Sequence, residues 1–225
     1  ILSRCTLAAQ EISQHLEHCE HGLAAQKVYD FAWGEFCDWY IELSKADLFG
    51  ENEDRKRAVR AVLQYVLGAL LKMLHPFMPF LTEEVYTQLP GKAEESCMLS
   101  SWPDAADTFS FPEEERQMQG VMDIIRAVRN LRAEFKVQPG QRARLMLRPQ
   151  PGWADTLAGA EGFFQRLAGV SPLDLLQADT QVSEKTVTAV TPVAEALIPL
   201  GDLVEIEQEV KRLQKEQERV RQEIA

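Results

Sequence analysis

Apolar residues recur at three- and four-residue steps through most of the first 135 positions, the spacing of amphipathic helices. Leu2, Cys5, Ala9, Ile12, Leu16 and Cys19 predict a helix from Leu2 to about Glu20, closed by Gly22. A second helix runs to about Ala46. On it Val28, Tyr29, Ala32, Trp33, Phe36, Trp39, Tyr40 and Leu43 share an arc of about 140° at helical spacing, with Glu35, Asp38 and Glu42 as a stripe on the other side. Six of the chain's eighteen aromatic residues fall between Tyr29 and Tyr40, so this segment is expected to be a central bundle helix touching several neighbours. The other reading of the same face is a platform on which bases stack.

Asp47 to Asn52, with Gly50, reads as a turn before a third helix from about Glu53 to Leu74, whose inward face is Val59, Val62, Val66, Ala69, Leu70 and Met73. Pro76 and Pro79 cannot continue it, because each lacks an amide hydrogen. Thr82 is then expected to cap a short helix that ends before Pro90-Gly91, with Glu83 and Glu84 in its first turn. Phe111-Pro112 and three glutamates announce a helix from about Glu113 to Phe135, buried along Val121, Ile124, Ile125, Val128, Leu131 and Phe135. The period then changes to two. Arg142, Arg144 and Arg148 alternate with Ala143, Leu145 and Leu147, which predicts a strand with a basic face. A helix from Trp153 to Ala168 and strands near Leu173–Gln177, Lys185–Thr191 and Ala194–Leu200 complete a small α+β unit. Finally Leu203, Ile206, Val210, Leu213, Gln217, Val220 and Ile224 step by three and four residues alternately, the seam of a coiled coil.

The expected fold class is thus mainly α: a helical bundle over residues 1–111, a linking helix with a small α+β unit over 112–200, and a coiled-coil helix over 201–225. Composition adds three constraints. No apolar run approaches the length of a membrane span, so no membrane partner is expected. Four scattered cysteines, Cys5, Cys19, Cys37 and Cys97, form no CxxC pair and suit a reducing cytoplasm. A net charge of −11 argues against indiscriminate nucleic-acid binding, yet residues 113–148 carry eight basic and five acidic side chains and stand out as net positive.

Several stretches carry a resemblance. Phe36-Cys37-Asp38-Trp39-Tyr40-Ile41-Glu42 is similar to the Phe-Cys-Asp-Trp-Tyr-x-Glu signature of valyl-tRNA synthetases, where it lies in the helical anticodon-binding domain after the class I catalytic core. His75-Pro76-Phe77-Met78-Pro79-Phe80-Leu81-Thr82-Glu83-Glu84 resembles the valine, isoleucine and leucine group of these enzymes. So does the Trp102-Pro103 pair that closes their bundle. Arg126 to Glu134 resembles the helix linking bundle to C-terminal region in valyl enzymes, and Leu197-Ile198-Pro199-Leu200-Gly201-Asp202 the stretch before their coiled coil. The absence of the zinc-binding cysteine tail of many isoleucyl enzymes favours valine.

The resemblance implies the C-terminal part of a valine-activating synthetase, with tRNA(Val) and the missing catalytic and editing domains of the same chain as partners. ATP and Mg²⁺ would serve the parent enzyme. No cofactor is expected within these residues, which contain neither a His-x-Gly-His-type motif nor a Lys-Met-Ser-Lys-Ser-type loop. The chain opens as though cut from a longer protein, lacking the family's first anticodon-domain helix with its Asn-Lys-x-Trp-Asn pattern. Its last residues read as the first helix of a truncated hairpin arm.

The arginines are the best functional candidates, because guanidinium pairs bidentately with phosphate and stacks on bases. Arg126, Arg129, Arg132 and Lys136 lie along one helical stripe, and Arg142, Arg144 and Arg148 follow on the strand. Lys211, Arg212 and Lys215 on the heptad segment complete the RNA-binding set. The competing reading has the stripe pairing with acidic groups. Arg55, Lys56, Arg57 and Arg60 form a second cluster, read as solvated. Glu35, Asp38 and Glu42 are expected to pair between helices or face water rather than catalyse, and no catalytic residue is expected. His15, His18 and Cys19 have a spacing that could converge on zinc, but helix surfaces often collect such residues and no metal is expected. A helical scaffold that self-associates through its exposed heptad seam without RNA is the alternative function.

Overall fold

A computed structural model of the chain describes residues 1–92, 94–103, 109–138 and 140–203. They fall into two compact units divided between Pro112 and Glu113. The architecture is mainly helical with one small sheet.

In the first unit, α1 (Leu2–Glu17) is followed by one long helical run: α2 (His21–Tyr29), a π-helical stretch (Asp30–Ile41) and α3 (Glu42–Leu48). Then come α4 (Glu53–Leu74) and α5 (Pro79–Thr87). Asn52 caps α4 as turn chemistry requires, its Oδ1 accepting from the amides of Asp54 at 3.0 Å and Arg55 at 3.1 Å. One core joins Cys5, Ala8, Ala9 and Ile12 of α1 with Ala24 and Val28, Phe31 and Phe36, and Val66, Ala69, Leu70 and Met73 of α4. Trp102 packs on this core, and its indole N–H donates to Ser13 Oγ at 2.8 Å. The Trp-Pro pair therefore does close the bundle.

Two expectations for this unit change. The aromatic segment is not an α-helix throughout. A π-helix bonds each amide to the carbonyl five residues back, so side chains five apart share a face that an α-helix would set about 140° apart. Phe31 and Phe36 are both buried as a result, with Tyr40 stacked on Phe36 at 6.3 Å between ring centroids. Tyr29 and Trp33, expected inside, are 59% and 56% exposed. The second change concerns Thr82, which lies inside α5 rather than at its start. Pro79 opens that helix, because its fixed φ and missing amide hydrogen suit the first turn. Thr82 is fully buried, and its hydroxyl donates to Met78 O at 2.9 Å and meets His75 Nδ1 at 2.7 Å.

The second unit opens with α6 (Pro112–Glu134), then β1 (Ala143–Pro149), α7 (Ala154–Gly159) and α8 (Glu161–Phe163). A short π turn (Phe164–Ala168) leads on to β2 (Val170–Leu175), β3 (Thr186–Val190), β4 (Ala194–Pro199) and α9 (Leu200–Leu203). The sheet order is β2-β1-β4-β3. β1 pairs parallel with β2, Leu145 opposite Leu173, and antiparallel with β4, Met146 opposite Leu197. That central place explains why Leu145, Met146 and Leu147 are all buried, so the strand shows no clean alternation. The single helix expected over Trp153–Ala168 is instead broken at Ala160 and ends at Gly169, whose φ of 66° is left-handed. The heptad positions from Ile206 to Ile224, and with them Lys211, Arg212 and Lys215, lie outside the described residues.

Val121, Ile124, Ile125 and Val128 form the buried face of α6, as the period indicates. Gly120 on the same helix is a packing requirement. An added Cβ would sit 2.6 Å and 2.7 Å from ring carbons of Trp153 and 3.0 Å from Val193. Trp153 is itself held by the Arg116 guanidinium, 4.9 Å from its ring centroid. Alanine at 120 gains about 1 kcal/mol of helix preference, but overpacking against a buried indole costs about 1–3 kcal/mol. Gly120→Ala is thus expected to destabilise the chain by up to about 2 kcal/mol, seen as a lower urea midpoint. A raised midpoint would refute this packing role.

Candidate nucleic-acid interface

The basic side chains expected to meet RNA sit on the second unit, and most of them brace it. Arg126 pairs with Asp123 one turn earlier at 3.0 Å. Arg129 Nε donates to Leu167 O at 2.7 Å. Arg132 reaches three backbone carbonyls: Gln141 at 2.8 Å, Gly169 at 3.3 Å and Gln138 at 3.4 Å. Arg142 donates to Gln165 O at 2.8 Å. Arg144 lies between Asp174 at 2.5 Å and Glu184 at 3.6 Å. Arg148 pairs with Glu195 on the neighbouring strand at 2.5 Å and also donates to Thr180 O at 3.0 Å.

These contacts divide the candidates into two groups. Arg144 and Arg148 face carboxylates, so their charge is locally balanced. Arg129, Arg132 and Arg142 each donate to backbone carbonyls, at the ends of α6 and of the Phe164–Ala168 turn. A helix C-terminus presents carbonyls without amide partners and carries a partial negative charge, which cations complete. A carbonyl offsets only a fraction of a guanidinium charge, and the exposed Lys136 adds a further cation at this end of the unit. Burial, and then the like charge of Arg142, push the Arg132 guanidinium below its ordinary value.

The structure brings Arg129, Arg132 and Lys136 together with Arg166, which the sequence reading missed. Arg166 is the sole basic residue between Arg148 and Lys185, so it belongs to no charge cluster. Only its place three residues before Gly169, in the last turn of a helix, could have pointed to it.

In the first unit several charged groups are paired. Arg4 grips Glu35 with two bonds of 2.7 Å and 2.6 Å, joining α1 to the aromatic helix. Glu42 pairs with Lys45 at 2.6 Å. Arg55 meets Asp47 at 2.7 Å, holding that carboxyl below the usual range, and Lys56 meets Glu53 at 2.5 Å. His15 Nδ1 lies 2.7 Å from Glu20, and His18 Nδ1 lies 2.8 Å from Gln14 O. Among the described residues no three His, Cys, Asp or Glu side chains converge on a common point. Burial pushes the Cys5 thiol up to about 11, which marks it as a core side chain.

The family described as the anticodon-binding domain of tRNA ligase matches residues 1–147, which takes in the first unit, α6 and most of β1. Across nearly the whole chain the relatives are valine–tRNA ligases. That of Clostridium tetani is 42% identical over 95% of this chain and 24% of its own length. That of Clostridium acetobutylicum is 38% identical over 100% of the chain and 25% of its own, and that of Bacillus licheniformis is 36% identical over 95% and 24%. The chain therefore spans about a quarter of the length of the curated relatives it matches. With its helical bundle and a family match over nearly two thirds of its residues, the chain belongs to the anticodon-binding domain family of tRNA ligases.

Proposed function

We propose that this chain is the tRNA-binding C-terminal part of a valine–tRNA ligase. The parent enzyme activates valine with ATP, assisted by Mg²⁺, and transfers it to tRNA(Val). Other regions of the parent supply catalysis and editing, and this chain holds the tRNA. The observation that carries the reading is the similarity to valine–tRNA ligases, which runs through both units rather than through the bundle alone. The exposed cations Lys136 and Arg166 of the second unit support it, since phosphate contact needs accessible positive charge.

The three-part division at about residues 111 and 200, with an arm over 201–225, belongs to this proposal. So does a cytoplasmic location, which four free cysteines suit. Among the described residues no helix is long and apolar enough to cross a membrane.

The test is a titration of the chain with valine-specific and non-cognate tRNA, at low and moderate salt, followed by fluorescence anisotropy. Cognate-preferring affinity that falls as salt rises is the expected result, because each neutralised phosphate releases counterions. No binding of either tRNA at low salt would overturn the reading.

A further inference from the structure

The end of α6 and the Phe164–Ala168 turn border an open hollow of about 430 Å³. Its wall holds four cationic side chains, Arg129, Arg132, Lys136 and Arg166, and no carboxylate. Two left-handed residues shape it. Lys136 has φ of 54° where the chain leaves α6, and Gly169 has φ of 66° where it leaves the turn. Gly169 also lets the Arg132 guanidinium approach, since a Cβ there would lie 3.3 Å from it.

The four cations have different work. Arg129 and Arg132 are fastened to carbonyls of Leu167, Gly169, Gln138 and Gln141. Lys136 and Arg166 are exposed, and their side chains make no hydrogen bond or ion pair among the described residues. Gathering like charges around one hollow is unfavourable unless an anion enters it. The two exposed donors are complementary in shape for that task. An ammonium offers a compact charge with three donors, and a guanidinium offers a planar fork that matches two phosphate oxygens.

We propose that this hollow holds one phosphate group of an RNA backbone, with Lys136 and Arg166 as its ligands and Arg132 as the brace that fixes the wall. The inference rests on the reading of the chain as a tRNA holder and adds where one phosphate sits and what grips it. A shared phosphate chemistry leaves free phosphate as the other source, which the experiment separates.

Two titrations of the full 225-residue chain test it. In the first, inorganic phosphate is added and the backbone amides are followed by NMR. Shifts are expected at Lys136, Val137, Gln138, Leu167 and Gly169, and they should vanish in a Lys136→Gln/Arg166→Gln chain. In the second, tRNA(Val) affinity is measured over a salt series. The double variant should keep its circular dichroism spectrum, while its slope of log affinity against log salt becomes shallower by about 0.7–0.9, one phosphate's worth. Silent amides, or a double variant with the original salt slope, would overturn the proposal. If tRNA binds normally while the hollow stays silent, the hollow falls and the tRNA-holding reading stands. If phosphate fills the hollow but tRNA fails to bind at any salt, the RNA ligand falls together with that reading.

Discussion

Phe31→Ala is expected to lower the stability of the first unit by about 3–5 kcal/mol, whereas Trp33→Ala, two residues on, should cost less than about 1 kcal/mol. Phe31 is 2% exposed and belongs to the core built by α1, α2 and α4, so its removal leaves a large cavity among groups that cannot collapse. Trp33 is more than half exposed, and its recorded ring contact is with the equally exposed Tyr29. Urea unfolding monitored at a probe in the bundle would decide the matter. A larger loss at Trp33 than at Phe31 would show that the segment winds as an α-helix with Trp33 inside, because residues two apart then lie on opposite faces.

Arg132→Ala should be nearly as damaging to the second unit, by about 2–4 kcal/mol. A hydrogen bond from a charged donor contributes about 1.5–3 kcal/mol when well formed. Of the three carbonyls that Arg132 reaches, Gln141 O at 2.8 Å is well placed, and those of Gly169 and Gln138 are longer. Loss of the guanidinium frees the end of α6 from the chain that leads into β1 and from the turn before β2. Arg132→Lys should recover little, because an ammonium on a flexible stem cannot span three carbonyls as a planar fork does. Thermal unfolding of both variants is the measurement. A midpoint unchanged in Arg132→Ala would make the residue a surface group, available to RNA without structural cost. The expected result carries a practical consequence: weaker tRNA binding by an Arg132 variant would report lost structure as much as a lost contact. Lys136 and Arg166 are the cleaner positions at which to test phosphate contact.

The hydrophobic period located α1, α4, α6 and the three C-terminal strands to within a few residues, and the three helices did so because each buries one face. It also placed Val121, Ile124, Ile125 and Val128 inside. Periodicity failed at Phe31 and Trp33 for a definite reason. A wheel drawn at α-helical spacing assumes the backbone winding, and a π-helical stretch changes that winding without changing the residue types. It failed differently on β1, where a strand paired on both sides and covered on both faces has no polar face to alternate with. Thr82 was misplaced because a buried threonine bonding back to its own helix carries the same letter as a capping one.

The sequence by itself determined the helical class, the switch to period two after α6, the family and the presence of a basic segment between two acidic ones. These follow from local spacing and composition, which survive any packing. Tertiary structure alone decided what each cation does. Arg126, Arg129 and Arg132 form one stripe in the sequence, yet the fold hands Arg126 to a carboxylate and the other two to carbonyls 6 to 38 residues away. Arg166, isolated in the sequence, joins them because the Phe164–Ala168 turn is tied to the end of α6 through Arg129 and Arg132. A charge acquires its role from the partner it meets in space, and that partner is fixed only when distant segments pack.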